Sequence, residues 1–182
     1  RLTFGGDDEE IKKTFTEMLM ALGAGLVLMF AILVLEFDTF GKSLRLLSAI
    51  PLSLTGVLWG LWIAGQPLSF TAFLGIIALA GVIINHGILL LDAMSTKALA
   101  HPELSPENLV LDTSQSRVRP ILLTTATTVI GMIPLVFVSS LWAPLAFTIA
   151  FGLLYGTLLT LVFIPLLSYK HEIKQARKKA QA

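Results

Sequence analysis

Five long apolar runs dominate the chain, at about 16–35, 44–64, 70–91, 120–138 and 145–168, each set off from the next by a polar or turn-forming segment. A bilayer core of about 30 Å takes roughly 20 helical residues, so every run is long enough to cross it. The apolar residues are continuous and do not alternate, which excludes a transmembrane barrel. The pattern predicts an all-α fold, a polytopic bundle of five spans occupying residues 14–169. Between the spans, "EFDTFGKSLR" reads as a short turn broken at Gly41, and "GQPLSF" as a tight turn containing Pro67. The longest interruption, Met94 to Arg119, carries "SPENLVLDTSQSR", with Ser105 as N-cap, Pro106 at the first helical position and Glu107 in the first turn. It predicts a separate short helix over about 106–117, lying on the membrane surface. Residues 1–13 read as the exit of an external domain and 170–182 as a solvated basic tail.

Small and polar residues recur inside the runs at helical spacing. Thr148, Gly152, Gly156 and Thr160 stand four apart in the fifth run, a ridge that lets a second helix backbone approach closely. Ala78, Gly81, Asn85, Ile88 and Asp92 share one face of the third, and Thr124, Thr127, Thr128 and Gly131 one face of the fourth. Both faces are expected to pack against protein.

Composition agrees with the pattern: 55% of residues are hydrophobic and 14% charged, against about 25% charged in soluble domains. The net charge of +1 points to no nucleic-acid partner, and the absence of cysteine removes disulfides and thiolate metal sites. Placement of the charges matters more. Lys42, Arg45, Lys97, Arg117, Arg119 and the basic tail fall on one side of the predicted bundle, while only Arg1, Lys12 and Lys13 fall on the other. The positive-inside rule then puts the C-terminus in the cytoplasm and the N-terminus outside. No cleavable signal precedes the first span, whose leader "GGDDEEIKK" is acidic, so earlier helices of a longer protein are expected to thread it.

Ionisable groups at membrane depth mark proton or ion paths. "GVIINHGILLLD" sets Asn85 and His86 in the third span, and antiparallel packing brings Thr124 of the fourth to similar depth. Asp92 and Arg117 sit nearer the cytoplasmic surface, as borders of an entrance, interfacial anchors or a structural ion pair. His86 either takes and releases a proton, paired with an acidic group from another helix, or donates to a carbonyl of a neighbouring helix. Enzyme signatures are missing: there is no His-Glu-x-x-His helix, nucleophile elbow or phosphate loop. The three histidines, His86, His101 and His171, lack metal-ligand spacing, so neither a metal nor a cofactor is expected.

"FGGDDEE" before the first span, "GVIINHGILLLD" in the third, "RVRPILLTTATTVIGMIPL" and "FGLLYGTLLTLVFIPLLSY" together resemble the C-terminal membrane helices of resistance-nodulation-cell division (RND) efflux transporters. The resemblance covers nearly the whole chain, in order. It implies the last five helices of twelve, in a bacterial inner-membrane pump driven by the proton motive force. The implied partners are protons, the N-terminal half, periplasmic substrate-collecting domains, two further protomers, a periplasmic adaptor and an outer-membrane channel. The implied cargo is hydrophobic or amphiphilic, as in multidrug resistance. Asn85 falls where many drug exporters have a lysine, His86 one place on; Arg117 matches the family's relay arginine and Thr124 its threonine. The lysine is missing, so either His86 supplies the cationic partner or the coupling differs. The acidic pair of the relay belongs to a helix of the other half. Other functions open to such helices are a protein-export motor subunit, a sterol-sensing-type domain and a membrane oligomerisation anchor.

Overall fold

The computed structural model describes residues 5–38, 40–101 and 104–180; for Gly5–Glu9, Pro106 and residues 168–180 it describes the backbone alone. Among the described residues all regular structure is helical: α1 (Gly5–Phe37), α2 (Phe40–Leu47), α3 (Ala49–Ile63), α4 (Phe70–Ala100), α5 (Pro106–Val138) and α6 (Ala143–Ala180). Five membrane-length apolar helical segments result, with α2 and α3 together forming the second. The chain is thus a multi-pass membrane bundle.

The helix ends follow from local chemistry. Asp38 adopts a left-handed backbone (φ 50°) directly after α1, a conformation that aspartate tolerates better than most side chains. Pro51 lies in the first turn of α3; it lacks an N–H and its ring crowds the carbonyl four residues back, where α2 stops at Leu47. Ser48 between them stays near-helical (φ −65°, ψ −16°), so the expected single span survives with a local break. At the far end Gly65 takes φ 63°. Its N–H bonds the Trp62 carbonyl and that of Gln66 the Leu61 carbonyl, the paired bonds of a Schellman stop. Ser69 then caps α4 by accepting from the Ala72 N–H, 3.4 Å away.

One expectation needs correction. Ser105 does cap a helix, accepting from the Asn108 N–H, but that helix does not end near residue 117. It runs unbroken to Val138 as one 33-residue α5, about 50 Å long at 1.5 Å per residue. Pro120 does not end it, because a missing N–H and one strained carbonyl cost less than rebuilding a terminus in an otherwise continuous helix. In the basic tail the backbone of α6 continues to Ala180, and residues 181–182 lie outside the described residues. Residues 1–4 of the predicted external segment lie outside them too, while Gly5–Lys13 forms the first turns of α1.

Helix α6 is the hub, packed against α3, α4 and α5, whereas α1 packs against α2 and α4. The expected ridge makes this possible. Thr148, Gly152, Gly156 and Thr160 are all buried. A Cβ added at Gly152 would lie 2.6 Å from Val57 Cγ2 of α3, and one at Gly156 2.5 Å from Ile83 Cδ1 of α4. Helix α3 answers with small residues of its own. A Cβ at Gly56 would run into Tyr155 of α6 and one at Gly60 into Phe151. Without a hydrophobic driving force in lipid, such close approach is what gives two helices their van der Waals contact.

Candidate functional site

His86 is the one ionisable group buried within the spans among the described residues, at 3% exposure. Residues Ile83, Ile84, Gly87 and Leu90 share its buried surroundings on α4, so the helix turns the imidazole inward. Both ring nitrogens meet hydroxyls of other helices. Nε2 lies 3.3 Å from Thr124 Oγ1 of α5. Nδ1 lies 3.4 Å from Thr157 Oγ1 of α6. The Thr157 oxygen is in turn 2.9 Å from Thr125 Oγ1 of α5, and the Thr124 hydroxyl donates to the Ile121 carbonyl at 2.9 Å. One imidazole therefore joins three helices through a file of hydroxyls.

The expected meeting of His86 and Thr124 is present, and the expectation that His86 serves a neighbouring helix's carbonyl is not: hydroxyls occupy both nitrogens. Asn85 is not brought to the cluster. One residue is about 100° around a helix of 3.6 residues per turn, so Asn85 points away from His86 and is exposed on the bundle's surface. Asp92 is exposed on that same face of α4, with Ala78, while Gly81 is half-buried, its added Cβ meeting only Met29 Cε at 3.9 Å. On α5, Thr124, Thr127 and Gly131 are exposed and Thr128 half-buried. The two polar faces expected to pack against protein are thus uncovered within this chain, because α6 takes the opposite side of each helix.

Arg117 is half-buried and makes no ion pair with Asp92. An ion pair joins Lys97 of α4 to Asp112 of α5, tying the two helix extensions together. Lys42 of α2 donates to Ser95 of α4 at 3.4 Å. His101 ends α4, and the His171 side chain lies outside the described residues. No group of three His, Cys, Asp or Glu able to hold a metal occurs among the described residues.

Sequence reasoning missed Thr125 and Thr157, both buried at 2% and 1% exposure. A signal for each was there. Thr125 stands four residues after Ile121 and Thr157 four after Leu153, and all four are fully inside. A hydroxyl repeating at the core face of an apolar helix needs a partner across the interface.

The AcrB/AcrD/AcrF family description matches residues 1–171 of the chain. The cobalt-zinc-cadmium resistance protein CzcA of Cupriavidus metallidurans is 32% identical over 170 residues, covering 91% of this chain and 16% of its own. The multidrug resistance protein MdtC of Escherichia coli is 28% identical over 189 residues, covering 100% of this chain and 18% of its own. A crystal structure of a heavy metal efflux pump superposes with a TM-score of 0.78 at 30% identity, over 91% of this chain and 17% of that one. The chain spans 16–18% of the length of these curated relatives.

Proposed function

The chain belongs to the AcrB/AcrD/AcrF family of RND efflux transporters, and from that premise we propose that it is membrane machinery of a proton-driven exporter in which His86 is the titrating group. The observation that carries this reading is the burial of one imidazole, hydrogen-bonded at both nitrogens, where three helices meet. An ionisable side chain at membrane depth is costly and is retained where it serves a path or a switch. Gain or loss of a proton there changes which groups donate and which accept across α4, α5 and α6, and so biases how those helices pack.

The uncovered polar faces support a second part of the proposal. Asn85 and Asp92 on α4, with Thr124 and Thr127 on α5, are poor company for lipid tails. They suit other helices of the transporter, among them one carrying the carboxylates that exchange protons with His86 through Thr124. Arg117 and Asp92 then border the cytoplasmic approach. The basic residues at the α2, α4 and α6 ends support an inner-membrane orientation with the N-terminus periplasmic and the C-terminus cytoplasmic. A trimer working with a periplasmic adaptor and an outer-membrane channel follows from the family. Transport without covalent chemistry is proposed, so the protein is not an enzyme.

The cargo proposed is a hydrophobic or amphiphilic compound, by analogy with MdtC, whose name says multidrug. Divalent metal cations are the second reading, favoured by the 32% identity to CzcA. Proteoliposomes of the intact transporter with an imposed pH gradient test both, using a lipophilic dye in one set and zinc in another. His86→Ala should abolish flux while expression and assembly persist. Normal flux in His86→Gln, which keeps a hydrogen-bonding group without a titrating proton, would reduce the histidine to a structural role.

A further inference from the structure

Of the three hydroxyls in the file around His86, Thr124 is exposed, while Thr125 and Thr157 are buried. Toward the end of the bundle that the proposed orientation makes cytoplasmic, the file stops. Thr160, the next hydroxyl of α6, is buried and makes no hydrogen bond among the described residues. One turn further on α6 Ile164 is buried, and one turn past His86 on α4 so is Leu90. Gly87 follows the histidine directly. A Cβ there would run into Leu46 Cδ2 of α2 and lie 3.0 Å from Ile164 Cδ1 of α6. The missing side chain therefore lets a leucine and an isoleucine from two other helices close on α4 beside the imidazole. Leu46, Leu90 and Ile164 belong to one buried apolar cluster, which continues to Val110 of α5.

A groove of 380 Å³ approaches this cluster between α5 and α6, lined by Glu107, Val110, Ser114, Leu161 and Pro165 among others. Residues 107–114 lie beyond Arg117 and Arg119, which the positive-inside rule puts at the cytoplasmic boundary. The groove thus brings the cytoplasm to Val110 and to Pro165, the neighbour of Ile164.

We propose that Ile164, with Leu46 and Leu90 closed on Gly87, is a plug that keeps the cytoplasm from the α6 side of His86, so that protons reach and leave the ring by way of Thr124 alone. This rests on His86 being the titrating group of the exporter. A proton crosses a protein along hydrogen-bonded groups or water. Water enters a cavity where it finds about two to four polar partners, and a space lined by leucine and isoleucine stays dry. The plug offers no polar side chain, and it is thin: Thr160 and Ile164 are about 6 Å apart along the helix. No charged side chain bridges it from α3 or α6, whose segments 49–63 and 143–167 contain no Asp, Glu, Lys or Arg. Asp92 of α4 is exposed, Arg117 of α5 half-buried, and Lys42 of α2 is engaged with Ser95. A route to the cytoplasm that stayed open would let protons cross whenever Thr124 faces the periplasm, and the gradient would run down without cargo. Closing that route is what the plug contributes to coupling.

Ile164→Ser supplies what a water needs. It brings a hydroxyl one turn from that of Thr160, in the turn where Pro165 leaves the Leu161 carbonyl without its helical N–H. Intact transporter in proteoliposomes, given a pH gradient and no cargo, reads the result. Wild type should hold the gradient and Ile164→Ser should lose it. Adding His86→Gln to Ile164→Ser should restore the hold, because the leak passes through the imidazole. Leu33→Ser, the same kind of change in the same cluster but on α1, should hold the gradient as wild type does. An Ile164→Ser protein no leakier than wild type overturns the inference, as does a leak that survives His86→Gln or one that Leu33→Ser shares. Where Ile164→Ser does not assemble, Ile164→Cys decides, since a thiol behaves as a small hydrophobe. It should stay inert to a cationic methanethiosulfonate applied from the cytoplasmic side, and labelling above the wild-type background overturns the plug. Normal proton-driven cargo flux in His86→Gln alone sinks the transport reading instead, and is measured separately from the leak.

Discussion

Thr125 of α5 and Thr157 of α6 meet hydroxyl to hydroxyl at 2.9 Å, and His86 of α4 closes the contact at 3.4 Å from the same Thr157 oxygen. Two other buried threonines of α6, Thr148 and Thr160, have hydroxyls with no hydrogen-bond partner among the described residues. The same side chain on the same helix is therefore a link at one position and a burden at another. Interhelical hydrogen bonds in membranes average ~0.6 kcal/mol and reach ~1.7. Thr157→Val should cost about 1–2 kcal/mol of unfolding free energy because it removes two such bonds. Thr160→Val or Thr148→Val should be neutral or stabilising, since each removes an orphaned polar group. Unfolding in mixed detergent micelles measures all three, and equal losses would mean that the file is not a structural link.

The glycines rank by what stands opposite them. At Gly56 and Gly60 an added methyl runs into Tyr155 and Phe151 at their Cβ and Cγ atoms, which are fixed to the α6 backbone. At Gly156 the obstacle 2.5 Å away is the terminal methyl of Ile83, which can rotate aside. At Gly131 nothing lies within 4 Å. Gly60→Ala should thus destabilise by about 1–3 kcal/mol, the range for overpacking. Gly156→Ala should cost less and Gly156→Leu much more. Gly131→Ala should raise the melting temperature of the isolated chain slightly through helix propensity. A melting series in which Gly60→Ala and Gly131→Ala behave alike would contradict the α3–α6 crossing.

How much of this was legible depends on what each residue answers to. The spans and the Thr148–Thr160 ridge could be read because long apolar runs and four-residue spacing are local patterns. So could the Ser105 cap and the tight turn in "GQPLSF". The continuity of α5 through Pro120 could not, because a proline weighs against a helix locally while the length of the helix on both sides weighs for it. Direction was harder still. Asn85 and His86 are neighbours in sequence but about 100° apart around the helix, and only the position of α6 decides which of them is inside. Thr125 was hidden for the same reason, beside the exposed Thr124.

The Lys97–Asp112 ion pair should matter little to stability. Asp112 is 63% exposed and Lys97 27%, so water screens their attraction. Measured exposed pairs give about 0.2–1 kcal/mol, and Asp112→Asn should fall in or below that range. High salt should remove most of what there is. A loss of several kcal/mol, insensitive to salt, would show that the α4–α5 connection is held by that pair and not by the helices.

Orientation can be measured without removing native thiols, because the chain contains no cysteine. Single cysteines at Gln66 or Ser140 should react with an impermeant maleimide from the periplasmic side. One at Leu99, 85% exposed at the end of α4, should react only after the membrane is opened. Ser43 is unsuitable although the proposed orientation puts it on the same side as Leu99, because it is wholly buried. Labelling of Leu99 in intact cells would reverse the assigned sides.

The uncovered polar faces give the sharpest test of how this chain sits in the transporter. Trp62 and Leu58 of α3 are 75% and 57% exposed and present a surface that is apolar but for the indole N–H, as a lipid-facing helix should. Asn85 of α4 and Gly131 of α5 are exposed as well, but on faces that carry Asp92, Thr124 and Thr127. A hydroxyl or amide facing hydrocarbon without a partner costs on the order of a few kcal/mol, so these faces should be covered in the assembled protein. Cysteines at positions 58, 62, 85 and 131 can carry a fluorophore quenched by nitroxide-bearing lipids. In the isolated chain all four should be quenched alike. In the intact transporter quenching should persist at 58 and 62 and fall at 85 and 131, and Asn85→Leu should weaken association with the rest of the protein while leaving the isolated chain folded. Equal quenching at all four positions of the assembled transporter would put the polar faces in lipid. His86 would then lose the carboxylate partner that the proposed exchange through Thr124 requires.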